Sequence, residues 1–312
     1  IPLRLVGSEM CIRDRYSIIN QQEKCMNNII NISERLKCVA SLVNKGARVA
    51  DIGTDHAYLP IYLVQNGISN KVYACDVRKE PLRRAKLHID EYGLSDKITT
   101  KLCDGLKGIN KGDVDTVTIC GMGGKLMKNI LKAGIDKLGD NTQLVLSAQS
   151  ELRDFRKYLL ETGIDIKSEH MLLEDGKYYF IFDCVYNTQD EYYLNVTNIQ
   201  QNNIYENAAA AGDIHNNNIH NNDSHKEDYD KEDNDKKKIT AYAEEELRYG
   251  RYLLDNKSEV LYEYLNKELT SCNNIRNSLI NNKEQSISIK SRIHAIDEDI
   301  DVINKALGRW KE

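Results

Sequence analysis

The chain has 312 residues, 41% of them hydrophobic, and a net charge of −5. That length allows one α/β domain and something smaller, and no apolar run approaches the ~18 residues a membrane-spanning helix needs. No secretory signal pattern is visible. The eight cysteines (Cys11, Cys25, Cys38, Cys75, Cys103, Cys120, Cys184, Cys272) form no CxxC pair and sit mostly in apolar runs, so they read as reduced core residues of a cytoplasmic protein.

The acidic balance does not exclude a nucleic-acid partner. Residues 213–235 hold eight acidic side chains against Lys226 and Lys231, a net of −6 that leaves the rest of the chain at +1. A near-neutral body can still carry a basic face.

Residues 1–15 lack a starting Met and share no pattern with the remainder of the chain; they read as translated adapter sequence or as a disordered natural N-terminus. From about Ile18 to Val43 apolar residues recur at helical spacing, with Ser33 as a candidate N-cap and Lys45-Gly46 as the stop. Strand-like and helical runs then alternate. The spacing predicts strands at 48–53, 71–77, 98–104, 116–121 and 143–148, and helices near 56–66, 79–92, 124–133 and 150–162. Such alternation argues for right-handed βαβ units and a parallel sheet covered on both faces.

After Gly163 the pattern changes. Residues 164–174 and 177–186 read as two strands joined by Asp175-Gly176, a hairpin signal. A parallel sheet finished by an antiparallel hairpin is the class I methyltransferase variant of the nucleotide-binding fold, and dehydrogenases usually lack it. Residues 187–238 are dominated by Asn, Asp, His and Lys and read as a disordered insertion. Its histidines His215, His220 and His225 recur every five residues, which fits neither a helix face nor a strand face; polar low complexity is the better reading than a metal site. From Ile239 to the end a helical stripe returns, with Asn281-Asn282-Lys283 as a turn between two long helices. The expected organisation is a domain over 16–186, the insertion, and a helical coiled-coil arm over 239–312.

The chemistry concentrates at the strand ends. Arg48-Val-Ala-Asp-Ile-Gly-Thr-Asp-His-Ala-Tyr-Leu-Pro60 runs from a buried strand through a tight turn at Gly53 into a helix, the arrangement that cradles a polar ligand. Asp76, at the end of the next strand, can accept both hydroxyls of a ribose or cap the following helix. Asp104 can take an adenine amine or serve as an N-cap, with Gly105 letting a ring lie close. Asp51 reads as orienting the turn. Asp55 stands where a dinucleotide fold would have glycine, and its carboxylate would repel a pyrophosphate but tolerate a sulfonium, which favours S-adenosylmethionine over NAD. Gly121-Met-Gly-Gly124 offers open backbone for a flat base with Met122 as an apolar surface, or simply close helix–sheet packing. His56 can act as a base or as a local hydrogen-bonding residue. Lys125, Lys128 and Lys132 on one helix, and Arg78, Lys79, Arg83, Arg84 and Lys86 on another, read as solvated faces or as phosphate contacts beside the pocket.

Together these residues resemble the bacterial tRNA (adenine-N1)-methyltransferases of the TrmK type. The resemblance is carried by Arg35-Leu36 with Val39-Ala40, Asp51 to Pro60, Asp104-Gly-Leu106, Gly121-Met-Gly-Gly124, Gln149 with Leu152-Arg153, Glu174-Asp-Gly-Lys-Tyr-Tyr179, and Glu245, Tyr249-Gly250 and Leu253-Leu254 in the arm. It implies transfer of a methyl group from S-adenosylmethionine to N1 of adenine 22 in tRNA. It implies a cofactor site of Arg35, Asp51, Gly53, Asp55, His56, Asp76, Val77, Asp104, Gly105 and Gly121. Asp55, His56, Gly121 and Met122 would face the reacting atoms, and Lys125, Lys128, Lys132, Arg78 and Arg83 the RNA. No metal, membrane or obligatory protein partner is expected. A methyltransferase acting on a protein or small molecule, or a non-catalytic RNA-binding module, remains the alternative reading.

Overall fold

In the structure, a computed structural model, the described residues are 29–187, 242–281 and 286–311. Residues 1–15, most of the 187–238 insertion with His215, His220 and His225, and positions 282 and 283 of the expected turn lie outside them.

Seven strands form one sheet in the order β3-β2-β1-β4-β5-β7-β6. They are β1 (Arg48–Ile52), β2 (Lys71–Asp76), β3 (Ile98–Leu102), β4 (Thr116–Met122), β5 (Thr142–Ala148), β6 (Ile164–Glu174) and β7 (Lys177–Tyr186). The first five are parallel; β7 runs antiparallel between β5 and β6. All seven residues of β5 are buried, as expected of a strand covered on both faces. The order reverses between β1 and β4, so the ends of these neighbours diverge and leave a crevice.

Helices α1 (Glu34–Leu42), α2 (Tyr58–Gln65) and α3 (Lys79–Glu91) cover one face through Val39, Ala40, Leu59, Leu63, Ala85 and Ile89. On the other face lie α4 (Gly124–Gly134) and α5 (Leu152–Glu161), with Met127, Leu131, Phe155 and Leu159 turned inward. Four C-terminal helices continue that core: α6 (Glu244–Tyr249), α7 (Arg251–Asp255), α8 (Glu259–Ile280) and α9 (Ile287–Gly308). The hairpin turn is made by Asp175 and Gly176, both with positive φ (50° and 74°), as a two-residue connection requires.

Two helix expectations need correction. Ser33 is the N-cap, as its place in the sequence suggests: in an extended conformation it accepts a hydrogen bond from the Leu36 amide at 3.3 Å, so α1 starts at Glu34 and the helical spacing of residues 29–32 before it does not make a helix. The arm does not begin as one long helix either. Gly250, with φ 95°, breaks it after six residues, and the chain turns again at residues 256–258 before α8 starts under the cap of Ser258. Among the described residues no helix is long and apolar enough to cross a membrane.

Candidate functional site

The crevice between β1 and β4 opens into a cavity of about 530 Å³, within the size range of small-molecule sites. Four strand ends and α1 supply its walls.

At the end of β1, Asp51 is buried and accepts from Thr118 Oγ1 at 2.7 Å. Burial pushes its carboxyl upward, against the Thr118 hydrogen bond and the charge of Arg35, which pull it down. Gly53 follows with φ 77°, and the amides of Gly53 and Thr54 both donate to the Cys75 carbonyl (2.8 and 2.9 Å), bending the chain across β2. Asp55 and Ala57 also adopt left-handed backbone (φ 49° and 59°). This double turn carries His56 away from the cavity: its ring leans on Tyr58 (5.5 Å between centroids), and its carbonyl lies 2.9 Å from Nδ1 of His88. His56, expected at the cofactor, is absent from the cavity wall; Tyr58 lines the cavity instead. Asp55 does line it, with Arg84 Nη2 at 3.6 Å and His56 Nε2 at 3.8 Å.

At the end of β2, Asp76 is 6% exposed and its Oδ1 accepts from the Arg78 amide at 2.8 Å. The capping and ligand readings are therefore compatible, because Oδ2 has no hydrogen-bond partner among the described residues. Val77 and Arg78 continue the same wall. Beyond β3, Asp104 caps nothing with its side chain and pairs with Lys107 at 2.6 Å. Gly105 has φ 57°, and a Cβ there would lie 2.9 Å from Ile130 Cγ2.

The glycine run after β4 divides between its two expected roles. The register shifts between Cys120 and Met122, and Gly121 (φ 75°) lines the cavity with open space around it. Gly123 and Gly124 instead press on the β5–α5 loop, where a Cβ would meet Ser150 Oγ at 2.7 Å and the Ser150 carbonyl at 2.6 Å respectively.

Of the expected cofactor and reaction residues, all except His56 meet in this one cavity. Of the expected basic residues only one does. Arg78 lines the wall, while Arg83 pairs with Glu80 at 2.8 Å. Leu126 and Ile130 are the residues of α4 that face the cavity. Lys125, Lys128 and Lys132 lie on the opposite flank of that helix, with Lys128 Nζ 5.3 Å from the Tyr158 ring centroid. The pocket-side position expected for them is thus corrected: helical spacing puts them beyond the buried Met127–Leu131 stripe. Two cysteines expected in the core, Cys103 and Cys120, line the cavity too. The Cys103 thiol faces the carbonyls of Lys101 and Gly105 at 3.8 and 3.6 Å, and the neighbouring Cys75 holds it below the usual range. Nothing in an apolar run distinguishes such a cysteine from its buried neighbours.

One buried guanidinium nitrogen at this end of the molecule, Arg35 Nη1, lacks a hydrogen-bond partner. Buried polar groups are normally paired, so an unmet guanidinium donor in a cavity wall fits an anionic group such as a carboxylate. With the open Asp76 oxygen for a diol and Asp104 for an amine, the wall suits a ligand bearing a carboxylate, a ribose and an adenine. S-adenosylmethionine has all three.

A family model described as a methyltransferase domain matches residues 32–182. The tRNA (adenine(22)-N(1))-methyltransferase of Bacillus subtilis is 40% identical over 152 residues, a segment that spans 49% of this chain and 64% of that relative. Among solved structures, the B. subtilis m1A22 tRNA methyltransferase TrmK has a TM-score of 0.66 at 25% identity, covering 89% of this chain and 99% of that one. The M. capricolum TrmK in complex with S-adenosyl-homocysteine has a TM-score of 0.59 at 28% identity, covering 87% of this chain and 99% of that one. The sheet is therefore the Rossmann-like sheet of methyltransferases, and the likeness reaches into the C-terminal helices.

Proposed function

We propose, from the premise that residues 32–182 are a methyltransferase domain similar to those of TrmK-type enzymes, that this protein transfers a methyl group from S-adenosylmethionine to N1 of adenine 22 in tRNA. The observation that carries the reading is the convergence of Gly53, Asp76, Asp104 and Gly121, from four successive strand ends, on a single cavity.

Bound S-adenosylmethionine supplies an electrophilic methyl group on a sulfonium centre. Asp76 would accept the ribose hydroxyls, Asp104 the adenine amine, and Arg35 would hold the amino-acid carboxylate. The turn at Gly53 and the open backbone at Gly121 leave space where a flat base can reach the methyl group, with Met122 beneath it. Neutral adenine N1 already has a free lone pair, so the residues need to align it rather than remove a proton. The methylated base is cationic, and the Asp55 carboxylate at the cavity wall would stabilise that charge as it develops. A proton leaving the exocyclic amine afterwards can go to water, because His56 is turned away from the cavity.

The arm fits an RNA partner by its charge distribution. Among the described residues of its distal part, 272–281 and 286–296, stand Arg276, Lys290 and Arg292 and no carboxylate, and Arg276 pairs with Asp297. Glu259, Glu263, Glu268, Asp297, Glu298, Asp299 and Asp301 all lie toward its base. Lys290 and Arg292 have no ion-pair partner among the described residues and would meet phosphates. A cytoplasmic address goes with a tRNA substrate.

Incubation with methyl-labelled cofactor and unmodified bulk tRNA, followed by nucleoside mass spectrometry, tests the reading. Label in N1-methyladenosine is expected. Transfer only to protein or small molecules would replace the RNA reading by another methyltransferase activity.

A further inference from the structure

Arg156 of α5 has the largest side chain among the fully buried ones, an unusual place for a permanent charge. Its Nε donates to Glu169 Oε1 of β6 at 2.6 Å, with both side chains shut off from solvent. Its Nη1 donates to the carbonyls of Leu247 and Arg248 at 3.0 and 2.8 Å, in the last turn of α6, where a helix leaves acceptors without internal partners. The other carboxylate oxygen of Glu169 accepts from the Tyr252 amide in α7 at 3.3 Å. Gly250 stands between the two helices, and a Cβ there would lie 2.6 Å from both Glu169 oxygens.

One ion pair of the sheet-and-helix core therefore grips both sides of the break where the arm begins. Apolar side chains of similar volume would serve stability as well as a buried pair does, whereas charged hydrogen bonds fix a direction. The start of α6 lies at the cavity's end of the sheet, beside the first turn of α5. Arg153, in the first turn of α5, forks onto Glu244 at 2.7 and 2.9 Å, and Glu151 just before it accepts from the Lys125 amide at 3.4 Å, next to the Gly121–Gly124 run.

We propose that Arg156 and Glu169 form a joint that fixes the direction of the C-terminal helices relative to the cavity, and that through it the arm presents tRNA to the site. The role in presenting tRNA rests on the function proposed above. Both are positioning residues: neither lines the cavity.

The test compares wild type with Glu169→Gln, Arg156→Lys and Gly250→Ala in the full chain. Glu169→Gln keeps the shape and removes the charge. Arg156→Lys keeps the charge but cannot reach three acceptors at once, so it should not rescue. Gly250→Ala disturbs the pair without deleting it, and serves if the core variants fail to fold. In folded variants KM for tRNA should rise about tenfold, with kcat and the dissociation constant for S-adenosylmethionine within about twofold of wild type. Hydrogen exchange should accelerate over residues 242–255 and stay unchanged over strands β1 to β4. Unchanged KM, or KM and cofactor dissociation constant rising together, overturns the proposal. Should wild type bind the cofactor but methylate no tRNA, the functional reading fails. Exchange then decides the joint alone: acceleration confined to the C-terminal helices supports it, and an unchanged pattern rejects it.

Discussion

Gly53 and Met122 touch across the crevice: a Cβ on Gly53 would lie 2.2 Å from Met122 Cε. The turn after β1 and the irregular end of β4 are thus fitted to each other, although almost seventy residues of chain separate them. Gly53→Ala meets two penalties. Left-handed backbone costs a non-glycine residue roughly 1–2 kcal/mol, and the Met122 methyl must swing into the cavity. Lower stability in urea denaturation and weaker cofactor binding in calorimetry are both expected. Adding Met122→Ala should recover part of the binding and none of the backbone strain. Full recovery of stability in the double variant would show that the turn's conformation does not matter.

Asp76 and Asp55 should separate binding from turnover. Asp76→Asn removes a charged acceptor from the ribose position, and such hydrogen bonds are worth about 1.5–3 kcal/mol, so cofactor affinity should fall by roughly 10- to 150-fold. Asp55→Ala should lower kcat more than cofactor affinity, since its carboxylate is proposed to answer charge that appears during transfer. Equal losses in kinetics and calorimetry would assign Asp55 to binding alone.

Much of this geometry is legible in the sequence, and the exceptions have identifiable causes. Short apolar runs bounded by Gly or Asp mark the strands, and Asp175-Gly176 marks the hairpin, because local backbone chemistry decides both. Periodicity also gathers Asp51, Asp76, Asp104 and Gly121 at one end of the sheet. It cannot show that Asp55 and Ala57 adopt left-handed backbone, and so it misplaces His56. It reads Arg156 as a polar position in an amphipathic helix and Glu169 as one in a strand, because their partners lie 91 and 83 residues further along the chain. The break at Gly250 is hidden likewise: a single glycine inside a helical stripe is often tolerated.

The two cysteines of the cavity should react differently. The neighbouring Cys75 brings the Cys103 thiol down to about 7, while burial pushes Cys120 up to about 12. Thiolate is the nucleophile, so alkylation of Cys103 by iodoacetamide should climb as pH rises through 7, with Cys120 inert at pH 8. S-adenosylmethionine should protect Cys103. Peptide mapping reads both effects, and Cys103 labelled equally with and without cofactor would place the ligand elsewhere.

Acid should loosen the arm first. Hydrogen bonding from Arg153 lowers the Glu244 carboxyl from 4.5 to about 2. A depressed folded-state pKa contributes stability above the unfolded value, lost as pH falls through the folded one, so the effect belongs between about pH 4.5 and 2. Glu244 is 36% exposed, so solvent screens much of it. In that window melting temperature should fall more steeply for wild type than for Glu244→Gln. Parallel slopes would mean that the contact contributes nothing measurable.

The most direct test of the proposed activity uses two transcripts of one tRNA, with adenine or guanine at position 22, each incubated with purified protein and labelled S-adenosylmethionine. Label should appear as N1-methyladenosine in the first transcript and be missing from the second. Equal labelling of both, or cofactor binding with no label in either, would contradict it.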